Sequence, residues 1–245
     1  MSKADLHIHT RVSDGMASIE QVLEFAEHAT DLDAIAVTDH EDVTGGLRAR
    51  ELAAKRQLRL IVIPGAEITT LQGHLLALFI EEGPKSFRRV ESALEMVHEQ
   101  AGVAVIPHPM SWLTRSISER TIDRIQARNE PGVTFDAIEL ANPSPAGRVT
   151  GARARLRNKH WGLAPAGGSD AHHLGHIGTG WTEFAGETAD DLKAALLAGE
   201  AKAAMSVYPS MRDVGYGNVA LGLAWGYAAT PRKMLSRALP KRGRR

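Results

Sequence analysis

The chain has 245 residues, 43% of them apolar and 24% charged, and its 29 basic and 29 acidic side chains give a formal net charge of zero. This length and composition allow one sizeable hydrophobic core, which argues against a disordered or fibrous protein. There is no cysteine, which excludes disulfide bonds and a catalytic thiol.

Five short apolar runs predict strands that are buried on both faces, as in a parallel sheet. They cover residues 4–8, 34–38, 60–65, 103–106 and 163–168. Each run leads into side chains that commonly bind metal ions. In chain order these are His7 and His9, Asp39 and His40, Glu67, His108, and Asp170 and His172. Further strands are predicted at residues 74–80, 137–140 and 179–184.

Segments with helical periodicity alternate with these strands. Ser18 and Gln21 form a capping box at the start of an amphipathic helix, and Thr188 and Asp191 are placed as the N-cap and third residue of another. The helix that begins at Thr188 is predicted to end at residue 198. Other helices are predicted at residues 46–57, 86–101, 118–128 and 149–161. Seven or eight strands that alternate with helices favour one closed α/β barrel, in which functional residues gather at the carboxyl ends of the strands.

The first cluster, His7-Ile8-His9, suits a metal site because residues two apart on a strand point to the same face. A pair of half-exposed histidines on an edge strand is the ordinary alternative. The further clusters at strand ends favour the metal site. Asp14 follows His9 by five residues within turn chemistry.

Together these clusters resemble the motifs of the polymerase and histidinol phosphatase superfamily, usually called PHP. In chain order they are His7-Ile8-His9 with Asp14, Thr38-Asp39-His40, Gly65-Ala66-Glu67, His108-Pro109 and Ser169-Asp170-Ala171-His172. Five ordered clusters are far more specific than any single one. The resemblance implies a distorted (β/α)7 barrel with its metal site at the carboxyl ends of the strands, and a stand-alone metal-dependent phosphoesterase.

The resemblance also implies a cluster of three divalent ions, held by nine side chains. The ligands of the first ion are His7, His9, Glu67 and Asp170. Glu67 bridges to a second ion, whose other ligands are His74 and His108. The ligands of the third ion are Asp14, His40 and His172. Six imidazoles and three carboxylates suit Zn²⁺, Mn²⁺ or Fe²⁺ and disfavour Ca²⁺.

Such a centre predicts hydrolysis of a phosphomonoester or phosphodiester by a metal-bound hydroxide, with no Ser or Cys nucleophile. Asp39 is predicted to orient a ligand. His173 and His176 lie in a loop over the site, where they would protonate a leaving group or contact phosphate, or else be exposed to solvent. The other histidines in predicted helices, His28, His98 and His160, are interpreted as surface or packing residues.

Substrate contacts are predicted for polar side chains in loops near the metal site. They are Arg11, Arg115, Asn142 and Arg148. Each is alternatively a solvated surface group. Trp112 would stack on a base or pack at the rim. Within the family, Asp14 argues against the histidinol phosphatase branch, where a histidine commonly stands. The alternatives are an exonuclease acting on short nucleic acid and a non-catalytic binding or structural module.

Two parts are expected along the chain, a barrel domain at residues 1–213 and a C-terminal helical segment with a basic tail at residues 214–245. The tail carries seven basic residues and no acid between positions 231 and 245. The segment is expected to pack on the barrel or on a second copy of the chain, or to dock on an anionic surface. It is too short to span a membrane. Since no apolar leader precedes the first strand, we expect a cytoplasmic protein.

Overall fold

The structure, a computed structural model, describes residues 1–83 and 85–209 and the single positions 212 and 217. Apart from Gly217, the expected C-terminal segment lies outside the described residues. The strands are β1 (Ser2–Ile8), β2 (Ala34–Val37), β3 (Ile61–Thr69), β4 (His74–Leu78), β5 (Val103–Ile106), β6 (Ala137–Ala141), β7 (Ala164–Gly167), β8 (Gly180–Phe184) and β9 (Lys202–Met205). The helices are α1 (Ile19–Ala29), α2 (Thr44–Arg56), α3 (Val90–Glu99), α4 (Glu119–Arg128), α5 (Pro145–Arg148), α6 (Gly151–Trp161) and α7 (Ala189–Ala198).

The nine strands form one sheet in the order β7-β6-β5-β4-β3-β2-β1-β8-β9. The sheet curls until β7 meets β8, where Gly167 N donates to Thr182 Oγ1 at 2.8 Å. A Cβ atom on Gly167 would lie 2.0 Å from Trp181 O, so only glycine permits this approach. The predicted α/β barrel class is confirmed, as a nearly closed barrel.

Two strands run against the others and alter the simple alternation. β4 is antiparallel to both β3 and β5, and β8 is antiparallel to β1 and β9. The amino end of β4 therefore lies at the same edge as the carboxyl ends of the parallel strands. This reversal places His74, the first residue of β4, beside the strand-end clusters.

The hydrophobic core has two outer layers and one inner layer. Outside the sheet, α1 and α2 pack on Ile35 and Val37 of β2, while α3 and α4 pack on residues of β4, β5 and β6 such as Ile106. The inner cluster joins the opposite faces of the strands to Leu192 and Leu196 of α7. Because α7 follows the reversed strand β8, it closes the barrel end away from the strand-end clusters.

Local backbone chemistry explains where prediction and structure differ. The strand predicted to reach residue 80 ends at Leu78 because Phe79 adopts a φ of 59°. The helix predicted from residue 86 begins at Val90, after Phe87 with φ 55° and an extended Arg89. The helix predicted from residue 149 begins at Gly151 as α6, and the short helix α5 before it was not predicted. β9 was not predicted, and none of the described helices is long and apolar enough to cross a bilayer.

Candidate metal centre

The structure gathers all nine predicted ligands at one edge of the sheet. His7 lies on β1, Glu67 on β3 and His74 at the start of β4. The others lie in loops that follow strands. They are His9 and Asp14 after β1, His40 after β2, His108 after β5, and Asp170 and His172 after β7. Their donor atoms form four overlapping groups, within each of which all the atoms lie within 4.8 Å of one another.

Two histidines and two carboxylates surround one point beside β1. The Nε2 atoms of His7 and His9 each lie 3.2 Å from Glu67 Oε2 and 3.5 Å from Asp170 Oδ1. Ligand atoms about 2.1 Å from one tetrahedral ion are roughly 3.4 Å apart. Each of these four N···O pairs therefore has a separation close to that of two ligand atoms of one ion.

Glu67 is shared with a second set of imidazoles. Its other oxygen, Oε1, lies 2.8 Å from His74 Nδ1 and 3.0 Å from His108 Nε2. His40 also approaches this carboxylate, with Nδ1 at 3.5 Å from Oε2. Both Glu67 oxygens thus face imidazole nitrogens, which is the arrangement of a bridging carboxylate.

A third set surrounds Asp14. Its Oδ2 lies 3.4 Å from His172 Nε2 and 3.6 Å from His40 Nε2, and its Oδ1 lies 3.6 Å from His9 Nδ1. The rings of His9 and His172 stack with centroids 4.3 Å apart. His9 therefore lies between the first and third sets and presents one ring nitrogen to each.

The electrostatics favour ionised acids in this pocket. Burial raises the pKa of Glu67, but the surrounding imidazoles, chiefly His74 and His40, outweigh burial and hold that pKa well below its ordinary value. Burial likewise opposes ionisation of Asp170 and Asp14, yet nearby histidines keep both pKa values far below the ordinary range. The three carboxylates therefore carry full charge and are available to a cation.

The donor set fits bound divalent cations. Both ring nitrogens of His9 and Nδ1 of His74 are buried, and although carboxylate oxygens lie close by, no group of the described chain is oriented to form a hydrogen bond with them. Such burial is costly unless another group satisfies the nitrogens. A cation would satisfy these nitrogens. Mixed imidazole and carboxylate ligands without thiolate suit Zn²⁺, Mn²⁺ or Fe²⁺.

Two buried acids hold ligand-bearing loops in place. Asp39 accepts hydrogen bonds from the backbone and hydroxyl groups of Thr10 and Ser13, which fixes the loop that carries Asp14. Asp5 accepts from Ser169 Oγ at 2.6 Å, which anchors the start of the loop that carries Asp170.

Glu139 on β6 connects two ligands, and sequence reasoning missed it. Its Oε1 lies 2.9 Å from His7 Nδ1, and its Oε2 accepts from His108 N at 2.7 Å and Asn142 Nδ2 at 2.8 Å. A carboxylate on the far nitrogen of a ligating histidine fixes the ring orientation and raises its basicity. In the sequence, Glu139 stands out only as a single acid inside an apolar strand. Asp5 was also not assigned a role, although it lies two residues before His7, the same spacing that relates His7 to His9.

Asp170 and His108 adopt unfavourable backbone conformations that hydrogen bonds from neighbouring residues stabilise. Their φ angles are 55° and 29°, in the left-handed region that non-glycine residues rarely adopt. Ser144 Oγ donates to Asp170 Oδ2 at 3.1 Å, and Glu139 receives the His108 N–H. Strained residues of this kind cluster at functional sites.

The predicted substrate contacts are placed differently from one another. Arg115 is exposed and lines a cleft beside His74, while Arg11 is exposed with Nε bonded to Met16 O at 2.9 Å. Arg148 is exposed on α5. Asn142 is buried, and its amide bonds to Glu139 and Ser144, which indicates a supporting role.

His176 is enclosed more than an exposed loop histidine. Its ring stacks on Tyr208 and its Nδ1 lies 2.9 Å from the Tyr208 hydroxyl. Burial, reinforced by His173 and His172, lowers the pKa of His176 to about 4. Burial also lowers the pKa of His173. Burial therefore favours the neutral form of both rings.

The histidines predicted to lie outside the site do so. His28 and His160 are exposed on α1 and α6. His98 packs at the end of α3, where Nδ1 lies 2.8 Å from Gly132 O and Nε2 lies 3.0 Å from Asp136 Oδ2.

Carboxylates and imidazoles converging at the carboxyl ends of barrel strands define a metal-dependent hydrolase of the α/β barrel class. Comparison with known families is more specific, because the PHP domain family matches residues 5–140 and the PHP-associated family matches residues 152–201. The chain belongs to the PHP family. The expected fold and the expected class of metal-dependent phosphoric ester hydrolase are thereby confirmed.

Two proteins of related sequence and one solved structure are similar to this chain. The uncharacterized protein MJ1587 of Methanocaldococcus jannaschii is 30% identical over 151 residues, which are 57% of this chain and 81% of that protein. The 5'-3' exoribonuclease Rnm of Salmonella typhimurium is 35% identical over 142 residues, 56% of this chain and 43% of that protein. A two-domain protein of Bacteroides vulgatus, containing a predicted PHP-like metal-dependent phosphoesterase, has a TM-score of 0.67 at 21% identity over 83% of this chain and 64% of that one.

Proposed function

We propose that this protein hydrolyses a phosphomonoester or phosphodiester at a centre of three divalent ions. The observation that carries the proposal is the convergence of the nine donors. Their N···O separations around Glu67, Asp170 and Asp14 run from 2.8 to 3.6 Å, close to the separation of roughly 3.4 Å between ligand atoms of one ion. Mn²⁺, Zn²⁺ and Fe²⁺ are the proposed ions.

The resemblance to the PHP family supports a division of the nine side chains among three ions. His7, His9, Glu67 and Asp170 would hold the first ion. Glu67 would extend to a second ion with His74 and His108, and Asp14 would hold the third with His40 and His172. When bound, such ions act as Lewis acids that activate water and neutralise the phosphate oxygens.

Residues of the chain itself would supply orientation. Glu139 fixes the ring of His7, and Asp39 fixes the loop of Asp14. Arg115, exposed on the cleft wall, is placed to pair with a phosphate oxygen that the ions do not reach. His173 and His176, in the segment after β7, are proposed to protonate the leaving group or to contact its phosphate.

A non-catalytic module is the competing function. A barrel retained only for binding or structure is under no need to keep each donor, whereas here all nine are present and converge. An exonuclease activity is compatible with the same centre and is supported by the similarity to an exoribonuclease over 56% of this chain.

The test is hydrolysis by protein reconstituted with Mn²⁺, Zn²⁺ or Fe²⁺. Phosphomonoesters, nucleoside bisphosphates, cyclic nucleotides and short RNA form the panel. We expect turnover of at least one class, abolished in His9→Ala and Asp170→Ala while circular dichroism shows a folded barrel. His28→Ala, on the exposed face of α1, is the matched control and should retain full activity. Silence across the panel, or full activity in either ligand variant, would contradict the proposal.

A further inference from the structure

A cleft of about 380 Å³ opens directly beside the candidate metal centre. His40 and His74 line it on the side of the centre, and residues 112–115 line it on the other. Small-molecule sites have volumes of roughly 300–1,000 Å³, so this cleft lies at the lower end of that range. It has room for one compact ligand group next to a phosphate held at the centre.

The wall away from the centre presents unusual apolar surface. Trp112 is 75% exposed and Leu113 is 48% exposed. By contrast, Trp161 is 8% exposed and packs within an outer core cluster. A tryptophan at the rim that packed on its own protein would be covered, so the exposed indole face at the cleft is free to contact a ligand.

The loop that carries Trp112 is fastened to the centre itself. Ser111 N donates to His108 O at 3.3 Å, and Met110 N donates to Ile117 O at 3.1 Å. At the other end of the wall, Arg115 O accepts from His74 N at 2.9 Å. Backbone hydrogen bonds to two proposed metal ligands therefore hold the segment that carries Trp112 beside the centre.

We propose that the cleft binds a nucleotide, with the base stacked on Trp112 and the phosphate at the metal centre. The inference rests on the proposed function and adds its substrate class. A planar, uncharged group suits the apolar wall, since bases stack on aromatic side chains through their π-faces. Among the lining residues in the described part of the chain, Arg115 is the one Lys or Arg and Glu41 offsets it. That balance favours one nucleotide unit over a long polyanionic strand.

The experiment compares adenosine 5'-monophosphate with ribose 5-phosphate, which has the same phosphate and sugar but no base. Both are titrated calorimetrically into metal-loaded protein, and both are assayed for hydrolysis. In Trp112→Ala we expect the dissociation constant and KM for the nucleotide to rise about 5- to 100-fold, equivalent to about 1–3 kcal/mol at 1.4 kcal/mol per tenfold. The values for ribose 5-phosphate and the kcat values should stay unchanged.

Two further variants separate stacking from general damage. Trp112→Phe keeps an aromatic face and should restore most of the nucleotide affinity. Leu156→Ala removes another apolar side chain, which is 65% exposed on α6, and should leave the binding of both ligands unchanged. If Trp112→Ala weakened the binding of both ligands equally, or of neither, stacking of the base on Trp112 would be refuted.

The two proposals fail in different ways. Hydrolysis of ribose 5-phosphate with no preference for the nucleotide leaves the phosphoesterase standing and removes the base site. Tight, Trp112-dependent nucleotide binding without hydrolysis of any phosphoester tested keeps the base site and removes the proposed activity.

Discussion

Replacing Glu139 by Gln should weaken metal binding without unfolding the barrel. The carboxylate serves three groups, with Oε1 at 2.9 Å from His7 Nδ1 and Oε2 bonded to His108 N and Asn142 Nδ2. A glutamine of the same shape has one oxygen. Its NH2 group must therefore face either the His7 nitrogen or two other donors, so at least one hydrogen bond is lost.

The structure sets the expected size of this effect. A hydrogen bond to a charged group contributes about 1.5–3 kcal/mol. Loss of a carboxylate that orients a metal-binding histidine typically lowers metal affinity by about 10- to 100-fold, or about 1.4–2.7 kcal/mol. The two ranges agree, so we expect a 10- to 100-fold rise in the metal dissociation constant for Glu139→Gln.

Competition titration with a chromophoric chelator measures this constant. Asp136→Asn is the matched control, because Asp136 Oδ2 also joins an imidazole to a backbone N–H, at 3.0 Å from His98 Nε2 and 2.7 Å from Ala104 N. Asp136 precedes the same strand, β6, at its other end. A folded Glu139→Gln protein with native metal affinity, or equal loss in Asp136→Asn, would refute the reasoning.

Three other perturbations have defined outcomes. Chelation should abolish hydrolysis and lower thermal stability. Restoring the ion at 100 times its dissociation constant should raise the free energy of unfolding by about 2.7 kcal/mol. Calorimetry would show no such gain if no ion binds. Asp5→Asn should cost about 1–3 kcal/mol in urea unfolding, because an amide NH2 would face the donors Ser169 Oγ and Gly178 N; an unchanged midpoint would show that these bonds do not hold the loop. Asp136, outweighing burial, raises the pKa of His98, so the stabilisation is present below the unfolded pKa of about 6.5 and is lost as pH rises through the folded value. The deficit of His98→Gln should therefore shrink between pH 6 and pH 9, and a constant deficit would exclude protonation as the cause.

The ligands that follow the ends of parallel strands were the part of the site most directly predictable from the sequence. Apolar runs ending in His, Asp or Glu predicted the convergence of side chains as distant as His7 and Asp170, because parallel strands bring their carboxyl ends to one edge. His74 needed the reversal of β4, which no local pattern specifies. Glu67 lies inside β3 and not after it, since the strand continues to Thr69 by pairing with that reversed strand.

The residues that support the ligands were harder to predict. Glu139 has no motif around it, and its role depends on β6 lying next to β5, so that the carboxylate meets the His108 backbone. The exposure of Trp112 depends on how residues 108–117 fold back on themselves. Both are consequences of tertiary packing, which periodicity and turn chemistry do not encode.

The pairing between β1 and the segment after β7 has a consequence for folding order. His9 N donates to Ala171 O at 2.9 Å, and Ala171 N donates to His7 O at 3.1 Å, so segments that are far apart in the chain meet directly. Contacts of such long sequence separation form late and slowly, because a large loop must close first. During synthesis, the first proposed ion would lack Asp170 until most of the barrel had emerged from the ribosome. Tight uptake of that ion would therefore report that the segment after β7 has joined β1, and pulse-labelled metal binding would time this step.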